Sequence, residues 1–146
     1  MFKVRAPQSK IEFENYYDLR WRILRAPWQQ PPGSERDHHE DTAIHAMALN
    51  DEDHIIGVAR LHQINNTTAQ IRYMAVAERW RHNGIGDALL CYLEEKARGL
   101  GVRLIKLNAR DNSVGFYTKR GYQITGPGPI LYGKIKHQKL EKRLNS

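Results

Sequence analysis

Arg81-His82-Asn83-Gly84-Ile85-Gly86 has the residue types and spacing to hold a phosphate or pyrophosphate. Glycine permits positive φ and, lacking a Cβ, lets a ligand approach the backbone. Where such a turn opens a helix, the first amides lack intrahelical acceptors and carry the positive end of the helix dipole. Arg81 adds a guanidinium fork matched to phosphate oxygens. No Lys-Ser/Thr follows the glycines, so the turn is not a P-loop. The third glycine of a dinucleotide fingerprint is missing too, because Gly86 runs straight into Asp87-Ala88-Leu89. A helix that starts with glycine for purely local reasons is the bland alternative.

A second group of chemically capable residues lies upstream: Glu35, Asp37, His38, His39, Glu40, Asp41 and His45. Adjacent His38 and His39 cannot easily reach one ion, and no spacing matches a zinc pattern, so no metal is expected. A general base or an anchor for a substrate amine among Glu40, Asp41 and His45 suits the cluster better. The single cysteine, Cys91, excludes an internal disulfide and fits a reducing cytoplasm. It is expected to pack within its helix.

The elements that must position these groups follow from periodicity and punctuation. Phe2-Lys3-Val4 is a short first strand. Ser9-Lys10-Ile11-Glu12 has the S-x-x-E form of a capping box, opening a helix to about Leu24, with Phe13, Tyr16, Tyr17, Leu19, Ile23 and Leu24 on an apolar face that Arg20 and Arg22 interrupt. Pro27, Pro31, Pro32 and Gly33 keep 26–41 irregular, and loops of that length tend to be functional or disordered. Trp28 in this loop either lines a pocket or tucks onto the core. Strands over 43–50, 54–64 and 68–76 form an antiparallel meander with a tight turn at Asn65-Asn66. Period-two alternation places Gln70, Arg72, Met74 and Val76 on one face of the third of these, and Ile56, Arg60 and His62 on one face of the second. Asp87 to Leu100 is a helix with a core stripe, closed by Gly101. Val102 to Ala109 is a buried strand, parallel to 68–76 across a right-handed crossover. Asp111-Asn112-Ser113 caps a short helix to Lys119; Gly126-Pro-Gly-Pro129 is a loop, and 130–136 a final strand. One α/β domain over 1–146 results, with a mixed, mostly antiparallel sheet flanked by helices around a parallel β-α-β core.

Composition narrows the class of protein. Hydrophobic residues make up 40% and charged residues 27%, with no apolar run of membrane-spanning length. The residues after Met1 do not resemble a secretory signal, so a cytoplasmic location is expected. Lys and Arg total 23 against 16 Asp and Glu, a formal +7 that suits a polyanionic ligand. The charge is spread along the chain beyond a basic C-terminal stretch, which argues against a dedicated nucleic-acid stripe.

Arg81-x-x-Gly84-x-Gly86 behind a strand ending Met74-Ala75-Val76 resembles the acetyl-CoA signature of the GCN5-related N-acetyltransferases, the GNAT superfamily. Phe116-Tyr117-x-x-x-Gly121-Tyr122 is similar to a late segment of the same family, and the element order agrees with it. Pro32-Gly33-Ser34-Glu35, His45, Gly57-x-x-Arg60-Leu61 and Gly133-x-x-x-His137 resemble the small bacterial ElaA-type branch. The resemblance implies acetyl-CoA as co-substrate: pyrophosphate on the amides of His82, Asn83, Gly84, Ile85 and Gly86 and on Arg81, and pantetheine along the backbone of Met74, Ala75 and Val76. It implies Tyr117 as the acid that protonates the leaving thiolate, and an amine of a small molecule or peptide as acceptor. Two positions depart from the pattern. Gln70 stands where histone-type members carry a glutamate base, and Arg110 stands where many members carry an asparagine, leaving Asn108 and Asn112 as flanking candidates for that contact. Trp28, Glu40, His45, Arg60 and Arg72 are candidate acceptor contacts, although Arg60 and Arg72 serve equally as partners for Glu40 or Asp41. A non-catalytic acyl-CoA-binding module is the alternative class; monomer and homodimer are both open.

Overall fold

A computed structural model describes residues 1–145. Its centre is a seven-stranded sheet in the order β1-β2-β3-β4-β5-β7-β6. The strands are β1 (Phe2–Arg5), β2 (Ile44–Asn50), β3 (Ile55–Gln63), β4 (Thr68–Val76), β5 (Leu104–Arg110), β6 (Gln123–Leu131) and β7 (Ile135–Arg143). Only β4 and β5 pair in parallel; every other neighbouring pair is antiparallel. The helices are α1 (Lys10–Leu24), α2 (Ile85–Gly99) and the short α3 (Val114–Thr118). No described helix is long and apolar enough to cross a membrane.

Each face of the sheet has its own core. Leu89, Leu90, Leu93 and Ala97 of α2 pack with Ala46, Leu61, Ile71 and Ile105 on one face, and Tyr16 and Leu19 of α1 pack with Met47, Val58 and Ala75 on the other. Fully burying a leucine contributes about 1.5–3 kcal/mol, so these stripes fix which helix lies on which face. Gly57 is demanded by this packing: a Cβ there would stand 2.8 Å from Ile85 Cγ2.

Local signals hold up at most element ends. Ser9 Oγ accepts the Glu12 amide at 3.2 Å, while Glu12 Oε1 reaches back to the Gln8 amide at 2.8 Å. Gly101 follows α2 with φ +81. Other expectations need correction. Ser113 makes no side-chain cap; a single 3-10 turn, Asp111–Ser113, leads into α3 instead. Residues 64–67 form a wider turn than a tight hairpin, with Asn65 Oδ1 accepting the amides of Thr67 and Thr68, both at 2.9 Å. Gly126 to Pro129 lies inside β6, not in a loop, and the last strand is 135–143, not 130–136. Proline is tolerated there because β6 is the outermost strand and pairs only with β7, with register shifts around the Gly-Pro residues. The turn to β7 has Tyr132 and Gly133 at φ 53 and 67, the two positive values of a type I′ turn. Cys91 is exposed on α2 and does not pack into the core.

Candidate functional site

The site begins with a flaw in the alternation of β4. Tyr73 has φ 64, and the register with β3 shifts between Val58 and Arg60. This β-bulge turns the following residues over. Gln70 and Arg72 stand opposite His62 and Arg60 on the α1 face, whereas Met74 and Val76 pack on the α2 core. The shared face expected for Gln70, Arg72, Met74 and Val76 is therefore corrected. Ile56 likewise leaves the face of Arg60 and His62, because β3 carries an extra residue opposite Ala48 and Leu49.

The bulge also parts two strands. β4 pairs with β5 only from Thr68 to Ile71, although β5 continues to Arg110 along β7. Beyond Ile71 the edge of β4 that faces β5 is free of that ladder, so the backbone of Met74, Ala75 and Val76 can accept an extended ligand. A chain lying there would be paired as an added strand is paired. Tyr117 of α3 closes the gap from the α2 side. Its ring stacks edge-on against Phe116 and Tyr122, and its hydroxyl donates to Met74 Sδ at 3.5 Å. Sulfur is a weak acceptor, so this proton is available to a better one. Burial pushes the Tyr117 phenol up to about 12, which keeps it protonated at any physiological pH.

At the end of β4 the chain passes through a 3-10 turn and Arg81 into α2. His82 and Gly84 adopt φ 66 and +82, and Asn83 holds the turn by donating to the carbonyls of Trp80 and Arg81 at 3.1 and 2.9 Å. Among the described residues, the amides from His82 to Gly86 donate to no protein group. They converge at the N-terminus of a helix of 15 residues. Arg81, exposed, donates only a long 3.4 Å bond to the Val76 carbonyl and keeps most of its fork free. A Cβ on Gly84 would project into open space, the space a ligand would fill. These residues fit a pyrophosphate. Asn112 is the middle residue of the 3-10 turn after β5, exposed, with Oδ1 accepting Ser113 Oγ at 3.3 Å.

On the opposite face, the loop after α1 is tied down by a buried charged network. Arg20 and Arg60 are both fully buried. Arg20 Nη1 donates to the Glu35 carbonyl and to Glu40 Oε2, both at 3.0 Å. Arg60 donates to Glu40 at 2.8 Å, forks onto both oxygens of Asp37, and reaches His62 Nδ1 at 3.0 Å. Arg72 joins Asp37 at 3.1 Å. The anticipated partner Asp41 takes no part; Asp37 has its place. His45 uses both ring nitrogens, Nε2 on the Glu40 carbonyl at 2.8 Å and Nδ1 with the Tyr16 hydroxyl at 2.9 Å. The structure thus brings Glu40, His45, Arg60 and Arg72 together, each occupied by the protein itself. Trp28 lies elsewhere, stacked on Tyr132 at 6.4 Å between centroids. Arg20 was legible only as an interruption of an apolar stripe; nothing local marked it as the network's anchor.

The network predicts a pH response. Burial, then His39 and Arg60, hold the His62 imidazole down to about 4, with Asp37 opposing and Arg72 adding to the effect. A histidine ordinarily titrates near 6.5, so the unfolded chain binds the proton first. Stability should therefore fall as pH drops from about 6.5 towards 4. Asp37, held well below the usual carboxylate range by its arginines despite burial, adds its loss only below about pH 4. Thermal unfolding from pH 7 to 4 should show the first decline in the wild type and a flatter slope in His62→Gln; equal slopes would remove His62 from the account.

Known proteins resemble this chain in sequence and in fold. Residues 13–122 match the acetyltransferase (GNAT) family. Serotonin N-acetyltransferase of Mesocricetus auratus is 33% identical over 82 residues, 56% of this chain and 40% of that one. The chain spans about half the length of the first curated relatives it matches. In fold it is similar to an aminoglycoside 6'-N-acetyltransferase solved with coenzyme A (TM-score 0.81, 18% identity, 100% and 98% of the two chains). It is similar also to Escherichia coli ElaA (TM-score 0.79, 16% identity, 97% and 98%).

Proposed function

The chain belongs to the acetyltransferase (GNAT) family, and from that premise we propose that it is an acetyl-CoA-dependent N-acetyltransferase in which an amine attacks the thioester directly within a ternary complex. The observation that carries the proposal is the parting of β4 from β5 next to a ring of unpartnered amides at the start of α2. Acetyl-CoA supplies an activated acyl group. The chain's own residues do the rest. Amides of His82 to Gly86 and Arg81 hold the pyrophosphate, and the freed edge at Met74 to Val76 aligns the pantetheine. A backbone N–H near Val76 polarises the thioester carbonyl as charge develops on its oxygen. Tyr117 donates its hydrogen bond to the departing sulfur. Glu40 and His45 position the loop and do not act as bases, because their hydrogen-bonding atoms are already engaged.

Two measurements test the reading. Thiol release from acetyl-CoA should appear with at least one member of a broad amine panel; a panel without turnover would leave a binding module. Acetyl-CoA at a hundredfold excess over Kd should stabilise the protein by about 2.7 kcal/mol, roughly 5–10 °C for a chain of this size. In Gly84→Val the β-branched residue is strained at φ +82 and its methyls fill the approach to the amides. That variant should unfold a few degrees lower and lose the ligand-induced shift; an undiminished shift would move the phosphate site elsewhere.

A further inference from the structure

The buried arginines of the α1 face are neutralised by Asp37 and Glu40. A second group of cations has no such partners. The side chain of Arg110, half-buried at the end of β5, makes no hydrogen bond or ion pair among the described residues. Arg25 is buried, and its guanidinium donates only to carbonyls, those of Leu24 and Ser34, both at 3.1 Å. Burial, then Arg25, lower the pKa of Arg110, with Tyr132 opposing and Arg81 adding to the effect. The Arg25 guanidinium also lies 5.6 Å from the ring of Tyr73, beside the β4 bulge.

Arg110 lines an open groove of about 340 Å³, with Lys134 from the β6–β7 turn, Lys136 at the start of β7 and Trp28 from the loop after α1. Asp111 is the one carboxylate on its lining, and it pairs with none of these cations among the described residues. Trp28 gives the groove an apolar wall, and Tyr132, its ring at 28° to that of Trp28, backs it. A half-buried arginine that shares a groove with two lysines and makes no ion pair is costly in the free protein. A ligand that brings an anion removes the cost.

We propose that this groove is the acceptor site and that it selects amines that also carry an anionic group, a carboxylate or a phosphate, bound by Arg110 with Lys134 and Lys136 while Trp28 covers the carbon skeleton. The proposal rests on the acetyltransferase reading and adds the class of acceptor. It also bears on the missing base. A cationic surrounding lowers the pKa of a bound ammonium, so the acceptor enters with more of the uncharged amine that attack requires. Gln70 then need not accept its proton directly.

The test uses matched amine pairs: amino acids against their amides, phosphoethanolamine against ethanolamine, and aspartyl or glutamyl dipeptides against their asparaginyl or glutaminyl counterparts. Binding is read by calorimetry with coenzyme A present, and turnover by thiol release from acetyl-CoA. Anionic members of at least one pair type should bind tenfold or more tighter than their neutral mates, with the difference in turnover lying in KM. Arg110→Gln should abolish that preference, Arg110→Lys should keep part of it, and acetyl-CoA affinity should stay within about twofold in both. The carboxylate and phosphate arms decide which anion is meant. Neutral mates favoured throughout, or a preference unchanged in Arg110→Gln, would overturn the proposal. So would Arg110→Gln losing acetyl-CoA affinity while keeping its acceptor preference. Absent thiol release from every amine would instead overturn the acetyltransferase reading, since the calorimetric preference needs no turnover.

Discussion

Replacing Tyr117 by phenylalanine should cost about 10²- to 10³-fold in turnover while leaving acetyl-CoA affinity and folding almost unchanged. The ring keeps its edge-on contacts with Phe116 and Tyr122, and the only bond lost is a 3.5 Å donation to a thioether. A phenol pushed up to about 12 by burial is a weaker acid than a thiol of about 8.5. Complete proton transfer is therefore uphill at the start, and stabilisation comes first from the hydrogen bond to the developing thiolate. Proton transfer follows once the sulfur carries full charge in the same dry pocket, where desolvation raises its basicity too. The pH profile supplies a second readout: no loss of rate attributable to Tyr117 should appear below about pH 11. Calorimetric affinity and steady-state rate on one preparation make the comparison. An unchanged rate, with chemistry rate-limiting, would leave Tyr117 as a packing residue.

Removal of Arg60 should produce the largest loss of stability. Its side chain is fully buried and holds two carboxylates, Asp37 and Glu40, that are 16% and 9% exposed. Deleting one member of a buried ionic group leaves the others uncompensated, at about 3–5 kcal/mol. Arg60→Ala should thus unfold roughly 10 °C lower or more. Arg72→Ala, which removes a partner 43% exposed, should cost about 1 kcal/mol or less. The double variant Arg60→Leu/Asp37→Asn should recover part of the loss, because both charges leave together. Denaturant unfolding of the series checks this; strictly additive losses would mean that the pair contributes through packing alone. The loop after α1 is fastened by this group, so the same variants should also make residues 35–41 more susceptible to proteolysis.

What the sequence determined by itself is what neighbours in the chain can encode. The glycines of 81–86 dictate a turn into a helix whatever lies around it, because φ near +80 at Gly84 is open to glycine at no cost. The stripe of α2, the capping serine at position 9 and the β4–α2–β5 crossover follow from short periods, and with them the family and the turn proposed to hold the phosphates. Tertiary structure decided the rest. The bulge sits at Tyr73, a residue type that ordinarily avoids positive φ, so nothing in the strand's alternation announces it. It is maintained from outside, by the arginines that gather on the Tyr73 ring from α1, β3 and the end of α1. That one extra residue opened the sheet, sent Arg72 and Met74 to opposite faces, and chose which arginines would meet carboxylates. Residue types told that Arg60 and Arg110 were charged; only the fold, bringing Asp37 and Glu40 beside one and not the other, separated a structural cation from one left facing a groove.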